Sequence, residues 1–422
     1  MRILYTAFDN PAVETILSGM HTESLSGLPA LYHPFRILLE RGHTIDLLLF
    51  SADEKKDLVE SEHFKRENLF HVRLPSAKNR FSALINTLAF PHLVKSSARK
   101  LMKQRKYDFV YGMGEGSGLA VSVAHRMGIP CGYRQFGVYN DFEHRVDKRK
   151  TTLTKRIAAL LHHTYAYIAM RSSYDFMLTT NDGSHQNVLF EKLRIKKRFK
   201  YFFWKSGIPI PDSRPLPERQ NGKAYPESFD DMRIVNIARF SPEKRQPRSA
   251  EILGWLHKKG YPMHLHYVGD DSSAAVKNAV LEEARRQNVT DYVHFEGRQE
   301  QKKTWQYARN SFVCLLPNES GLVNVFYETL AQGGAVVAAK TATLDDYIQN
   351  GENGFQFKTE EEAADYIIKL LEDRKLYDKI RAGAYATARE KLLSVDRRFG
   401  MEADLVEDTA NGNSLEKYKE II

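Results

Sequence analysis

The chain has 422 residues, of which 42% are hydrophobic, 11% aromatic and 27% charged, with a net charge of +9; that is enough apolar material for a sizeable core, which excludes a disordered chain and a small stapled scaffold. At roughly 100–200 residues per domain it holds two domains or more. Its two cysteines, Cys131 and Cys314, stand far apart in no paired spacing, which argues against a disulfide framework and a cysteine-based zinc site; a reducing cytoplasm and no metal are expected. The opening segment MRILYTAFDNPAVETILSG carries Asp9 and Glu14 where a secretory signal would be apolar, and it reads as a strand. The longest uncharged, apolar-leaning runs, 82–94 and 157–170, fall short of the ~20 residues that a membrane span needs.

A strand over 1–7, a helix over 34–41 and a strand over 43–50 begin a βαβ pattern, continued by strands over 70–74, 109–111 and 132–135 with helical patterns between them. A second series runs strand 233–238, helix 246–259, strand 264–268, helix 274–287, strand 293–296, helix 302–309 and strand 312–316. It closes with a helix near 325–332, a strand over 335–338 and a long helical end from Thr359. The Pro-rich polar stretch over 207–226 is the linker. Alternating βα units with apolar strands specify parallel sheets, hence an α/β chain of two doubly wound, Rossmann-like domains. The expected division is a first domain over 1–206, a second over 207–388, and a helical segment over 389–422 crossing back to the first. Ligands of open α/β sheets bind at the carboxyl ends of the strands, so two such domains facing a central cleft place the chemistry in the loops that follow strands.

Five loops carry candidates. In NIARFSPEKRQ, Arg239 and Lys244 lie just past a strand and before a helix, a phosphate clamp if they converge and two solvated cations if they do not. In LLPNESGLVNVFYETLAQGGAVVA, loop amides at a helix start suit a diphosphate, and Glu328 about two turns in suits a ribose diol; the plain alternative is a solvated helix carboxylate. Gly27 in LSGLPALYHP lets the backbone approach a diphosphate or simply turns. YGMGEGSGLA misses the dinucleotide fingerprint, because the third glycine would fall on Ser117 or Leu119; Glu115 there is either an acceptor-side base or a solvated carboxylate. In YRQFGVYNDFEHR, the residues Arg134, Asp141 and His144 are candidates for acceptor or sugar contacts.

These motifs resemble glycosyltransferase family 4. RFSPEK is similar to that family's GRLxxEK pattern and SGLVNVFYETLAQGGAVVA to its EGFGxxxLEAxAxGxPVVA segment. The likeness continues through HYVGDD, VHFEGR, NGENGFQF and REKLLSVDRRF over nearly all of 230–400, and more weakly through RGHTIDLLLF, MGIPCGYRQFG and WKSGIPI. The resemblance implies a GT-B fold, with 1–206 as the acceptor-binding and 207–388 as the nucleotide-sugar-binding domain, and a retaining transfer, independent of metal and cofactor, of a hexosyl or N-acetylhexosaminyl group. The implied donor is a nucleoside diphosphate sugar, a UDP-sugar before a GDP-sugar, and the implied acceptor a glycan or a lipid-linked acceptor in cell-surface polysaccharide or glycolipid assembly. It implies that Arg239 and Lys244 are catalytic and neutralise the departing diphosphate, and that Glu328 binds the ribose. Gly321, Leu322 and Val323 would pass under the diphosphate and sugar, with Gly297 and Arg298 beside the base. Two positions depart from the pattern: the family's first Glu falls on Ser320, with Glu319 one residue early, and its first-domain His falls on Phe136, leaving Arg134 or His144 to replace it. Both concern recognition of the transferred sugar.

The charge is local. Lys and Arg number 8 against 11 Asp and Glu over 1–77, 24 against 8 over 78–205, and 30 against 34 in the remainder. The excess concentrates in 95–106, 147–161 and 192–200; Leu88, Phe90, Leu93 and Val94 precede the first cluster, and Leu160, Leu161, Tyr165 and Tyr167 follow or end the second. Basic helix faces flanked by apolar residues suit an anionic lipid surface at about 1 kcal/mol per cation, so a cytoplasmic protein peripheral to the inner face of the cell membrane is expected. The competing reading is a set of solvated helix faces whose apolar sides are packed inward. No reader motif accompanies the charge, which argues against a nucleic-acid-binding protein. A nucleotide-sugar epimerase or a sugar phosphorylase is the alternative within the fold.

Overall fold

In the first half of the chain, apolar segments too short to be helices alternate with amphipathic ones, and the computed structural model shows β1 (Arg2–Phe8), α1 (Pro29–Glu40), β2 (Thr44–Ser51), β3 (Leu69–Arg73), α2 (Arg80–Gln104), β4 (Phe109–Met113), α3 (Ser117–Arg126), β5 (Cys131–Gln135), β6 (Phe176–Asn181) and β7 (Lys200–Lys205). The structure describes residues 1–9, 13, 16–18, 29–51, 59–60, 64–74, 80–114, 116–136, 168–181, 190, 197–210, 232–318, 324–341 and 343–419. The seven strands are parallel in the order β3-β2-β1-β4-β5-β6-β7. The central β4 is buried from end to end, as expected of a strand covered on both faces. One face packs Leu4, Leu48 and Val110 against Val94, Ala98 and Leu101 of α2 and Leu119 and Val123 of α3. The first basic cluster therefore belongs to a helix whose apolar side is packed inward while Arg99, Lys100 and Lys103 face solvent. The second cluster lies outside the described residues, as do 192–196 of the third.

The second series comprises β8 (Gly207–Ile208), β9 (Arg233–Ile237), α4 (Gln246–Lys258), β10 (His264–Val268), α5 (Ala274–Arg286), β11 (Val293–Gly297), α6 (Gln301–Asn310), β12 (Val313–Leu316), α7 (Asn324–Ala331), β13 (Val336–Ala339) and β14 (Phe355–Phe357). Its six-stranded sheet is parallel, in the order β11-β10-β9-β12-β13-β14. Both sheets thus reverse their winding direction once, between β1 and β4 and between β9 and β12, the points at which doubly wound sheets open a crevice. Most of the linker stretch, 211–231, lies outside the described residues.

The helical end from Thr359 is three helices, α8 (Glu360–Glu372), α9 (Arg374–Lys391) and α10 (Val395–Ala410). Thr359 accepts from the Glu362 N–H while Glu362 accepts from the Lys358 N–H, two carboxylate and hydroxyl caps that start α8. Asp373 accepts from the Leu376 N–H and starts α9 afresh. A two-residue strand, β15 (Leu393–Ser394), pairs with β8 before α10 begins.

The chain divides into two compact units, Met1–Ser206 with Asp396–Ile422, and Gly207–Val395. The body of α10 therefore belongs to the first unit. At its surface Arg36 pairs with Asp396 at 2.9 Å, Arg41 with Asp404 at 2.7 Å and His43 with Glu407 at 2.8 Å. Beneath them the fully buried Glu402 carboxylate accepts from the Tyr111 hydroxyl at 2.6 Å, from Arg398 at 2.9 Å and from Arg134. Burial pushes the Glu402 carboxyl upward, but the two guanidinium groups outweigh it and hold it below the ordinary carboxylate value. Among the described residues no helix is long and apolar enough to cross a membrane.

Candidate active site

The site is built at the carboxyl edge of the second sheet, where three strand ends are laced by backbone hydrogen bonds. The Ala238 N–H donates to Val268 at 2.9 Å, the Phe240 N–H to Asp270 at 2.8 Å and the Gly269 N–H to Gly297 at 2.9 Å. Gly269 makes this lacing sterically feasible: its φ is +145°, and a Cβ there would lie 2.2 Å from the Ala238 carbonyl oxygen.

The chain leaving β9 carries the two predicted cations. The buried Gln246 amide donates to the Arg239 carbonyl at 2.8 Å and fixes the backbone, leaving the Arg239 side chain 70% exposed beside Glu243. A 3₁₀ turn, Pro242–Lys244, follows, with proline at its start, and Arg245 in the left-handed region turns the chain into α4. Ser241 Oγ donates to Glu243 at 2.6 Å. The Lys244 N–H donates to the Ser241 carbonyl at 2.9 Å, while its half-buried ammonium group has no hydrogen-bond or ion-pair partner among the described residues. Burial pushes its ammonium group below the ordinary lysine value; Glu243 opposes this and the Arg239 charge adds to it. A cation held in that condition gains from any anion that arrives.

Beyond β10, Asp270 accepts from the Ser272 N–H at 3.0 Å, and that bond, with the nearby charges of Arg298 and Arg239, holds its carboxyl below the ordinary value. Arg239, Asp270 and Arg298 thus form one charged group across three strand ends. Gly297, with φ +65°, ends β11 and has open space where a side chain would stand. Asp270 was not among the predicted site residues, although it lies in the quoted HYVGDD motif; only the pairing of β9 with β10 and β10 with β11 brings it between the two arginines.

Strand β12 lies beside β9, with Val313 opposite Ile234, so the segment after β12 leaves the same edge as the Arg239 loop. It leads to α7 and Glu328. The Glu328 carboxyl is half-buried, and burial pushes it up to about 7. The nearby Gln301 amide and Trp305 indole of α6 favour its ionised form and only partly offset that shift. A half-buried carboxyl held near neutrality differs from a solvated helix carboxylate.

Several predicted residues, namely Gly27, Glu115, Asp141, His144, Glu319, Ser320, Gly321, Leu322 and Val323, lie outside the described residues. Arg134 is described and differs from expectation: it lies within β5 rather than past it, is fully buried, and donates to Glu402 and, at 3.1 Å, to Thr180. Its guanidinium also lies over the rings of Phe136 and Phe399, 5.5 and 5.4 Å from their centres. It anchors α10 instead of facing a ligand.

A family model described as glycosyl transferases group 1 matches residues 219–387, which span the Arg239 loop, the Asp270 and Arg298 strand ends and Glu328. Over residues 219–387, less than half of the chain, the sequence is similar to a group 1 glycosyl transferase domain. Among curated proteins the chain is similar to alpha-monoglucosyldiacylglycerol synthase of Acholeplasma laidlawii, at 20% identity over 306 residues, covering 69% of this chain and 73% of that one. Among solved structures it is similar to sucrose-phosphate synthase from Thermosynechococcus elongatus, with a TM-score of 0.68 and 13% identity over 98% of this chain and 100% of that one. Anabaena Alr3699/HepE in complex with UDP-glucose gives a TM-score of 0.62 at 15% identity, over 97% and 100% of the two chains. At such identities these likenesses speak for the fold, which is GT-B, and the group 1 domain supplies the enzyme class, a glycosyltransferase.

Proposed function

We propose that this chain is a retaining glycosyltransferase that moves a hexosyl or N-acetylhexosaminyl group from a UDP-sugar to a glycan or lipid-linked acceptor at an anionic membrane surface. The observation that carries the reading is Lys244, a half-buried cation whose ammonium group has no partner among the described residues, beside Arg239 at the reversal point of the second sheet. The bond from the sugar C1 to the β-phosphate oxygen breaks, the acceptor oxygen bonds to C1 on the same face, the acceptor hydroxyl passes its proton to the departing diphosphate oxygen, and the nucleoside diphosphate leaves. Negative charge grows on the diphosphate as that bond breaks. Arg239 and Lys244 stabilise that charge more than the ground state, which is what accelerates the step. No metal is needed where two fixed cations do this. Glu328 accepts hydrogen bonds from the ribose diol, with Arg298 near the base and the segment at 319–323 along the diphosphate.

The lipid-linked acceptor is supported by the excess of cations over 78–205 and by the name of the curated relative, a synthase of a glucosyldiacylglycerol. The inward-packed apolar side of α2 means that electrostatic attraction, rather than insertion, would hold that face at the membrane.

Lys244→Ala should abolish sugar transfer with the melting temperature unchanged or raised, since it removes a partly desolvated cation whose ammonium group has no partner among the described residues. Donor identity follows from a thermal-shift screen of UDP, GDP, ADP and their sugars, because a ligand that binds only the folded state raises its melting point. Undiminished turnover by Lys244→Ala would refute the diphosphate role.

A further inference from the structure

We propose that His125, Cys131 and Asp175 of the first unit form a zinc-binding site that clips the end of α3 to the starts of β5 and β6. His125 is in the last turn of α3, Cys131 is the first residue of β5, and Asp175 immediately precedes β6. One ligand atom from each, the imidazole nitrogen, the sulfur and a carboxylate oxygen, lies within 4.8 Å of the other two. The carboxylate is already oriented: its Oδ2 accepts the Cys131 backbone N–H at 2.7 Å, while Oδ1 faces His125 Nδ1 at 3.7 Å, beyond hydrogen-bonding distance. The Asp175 N–H in turn donates to the Cys131 carbonyl at 3.2 Å, so the two strand starts hold each other in register.

Imidazole, thiolate and carboxylate are the donors zinc takes, and bond lengths of about 2.0–2.3 Å place ligand atoms about 3.5 Å apart around a tetrahedral ion. Closing from 4.8 Å asks for about 1 Å of movement. The His125 and Asp175 side chains, each 37% exposed, have the freedom to make it, while buried Cys131 is the fixed point. The negative end of the α3 dipole adds to the attraction for a cation. Thiolate with imidazole selects zinc over magnesium and calcium, and a water fills the fourth position. On binding, the thiol loses its proton to solvent and the other two ligands keep their ordinary states. The three residues stand at the amino edge of the first sheet, whereas ligands of open α/β sheets bind at the carboxyl edge; the ion therefore fastens and does not take part in transfer. Separations of six and 44 positions form no recognisable metal spacing, which is why the sequence points to no metal.

The test uses the untagged full-length chain, stripped with a chelator and titrated with Co²⁺ and Zn²⁺. The expected result is one equivalent of cobalt with a thiolate-to-metal charge-transfer band, and a higher melting temperature with zinc. Because the chain has only two cysteines, the band can be assigned: Cys131→Ser should lose it and Cys314→Ser should keep it. Cys314 is a suitable control, buried in the second unit with its sulfur accepting from the Thr329 hydroxyl at 3.4 Å. His125→Ala and Asp175→Asn, at partly exposed positions that leave folding intact, should each weaken zinc binding roughly tenfold or more. Absence of the band and of any zinc-dependent shift in the native chain would overturn the proposal, as would a band that survives Cys131→Ser.

Discussion

Glu328 gives the most demanding test of the site. If only its ionised form accepts the ribose hydroxyls, nucleotide affinity must follow its titration. With the carboxyl at about 7, about 9% is ionised at pH 6 and about 91% at pH 8, so the apparent Kd of UDP should improve nearly tenfold across that interval. The diphosphate itself titrates nearby, so the diagnostic quantity is the difference between the native chain and Glu328→Gln, measured by isothermal titration calorimetry at both values. Stability should move the other way. A carboxyl bound more tightly to its proton in the folded state contributes its full stability below about pH 4, and loses it as the pH rises through 7. At pH 8 the ionised side chain therefore costs the second unit up to about 3 kcal/mol, and Glu328→Gln should raise the melting temperature there by several degrees while weakening UDP binding. A residue that destabilises the fold yet is needed for binding has a function that a packing residue lacks. If Glu328→Gln binds UDP as the native chain does, with the same pH dependence, the ribose role is wrong.

Two further perturbations separate the frame from the chemistry. Gly269→Ala forces a Cβ against the Ala238 carbonyl at a backbone angle that favours glycine, and it should cost about 1–3 kcal/mol and weaken nucleotide binding together; a native melting curve would contradict the lacing of the strand ends. Glu402→Gln leaves Arg134 and Arg398 buried without their carboxylate and should cost about 3–5 kcal/mol, with faster hydrogen exchange along α10. Because the Glu402 carboxyl is held below its unfolded value, its contribution is present above about pH 4 and fades as the pH falls through the lower folded value, so acid should loosen α10 in the native chain but not further in the variant.

How far the sequence carries these conclusions depends on the distance over which each interaction is made. Strands β9 and β10 were legible because five apolar-leaning residues between turn signals mark a buried parallel strand. β6 and β7 were not. The end of FMLTTN is polar because Thr179 bonds to the Tyr201 hydroxyl at 2.7 Å and Thr180 to Arg134, and KYFFWK is an aromatic run with lysine at both ends and no clear period. The Arg239 and Lys244 loop was legible because its spacing is local, whereas the Glu328 shift comes from burial, and the groups that partly offset it lie 27 and 23 positions before it, on another helix. Arg134 shows the limit of reasoning from strand ends. Arg239 and Arg134 are the same side chain near the carboxyl ends of parallel strands, yet one is 70% exposed and the other fully buried. The carboxylate that draws Arg134 inward is 268 positions away, on a helix the chain returns to the first unit. A cation at a strand end is therefore a ligand contact only when no other element brings it a carboxylate, and that condition is set by topology, which is why Lys244, whose ammonium group has no partner among the described residues, bears the catalytic reading and Arg134 does not.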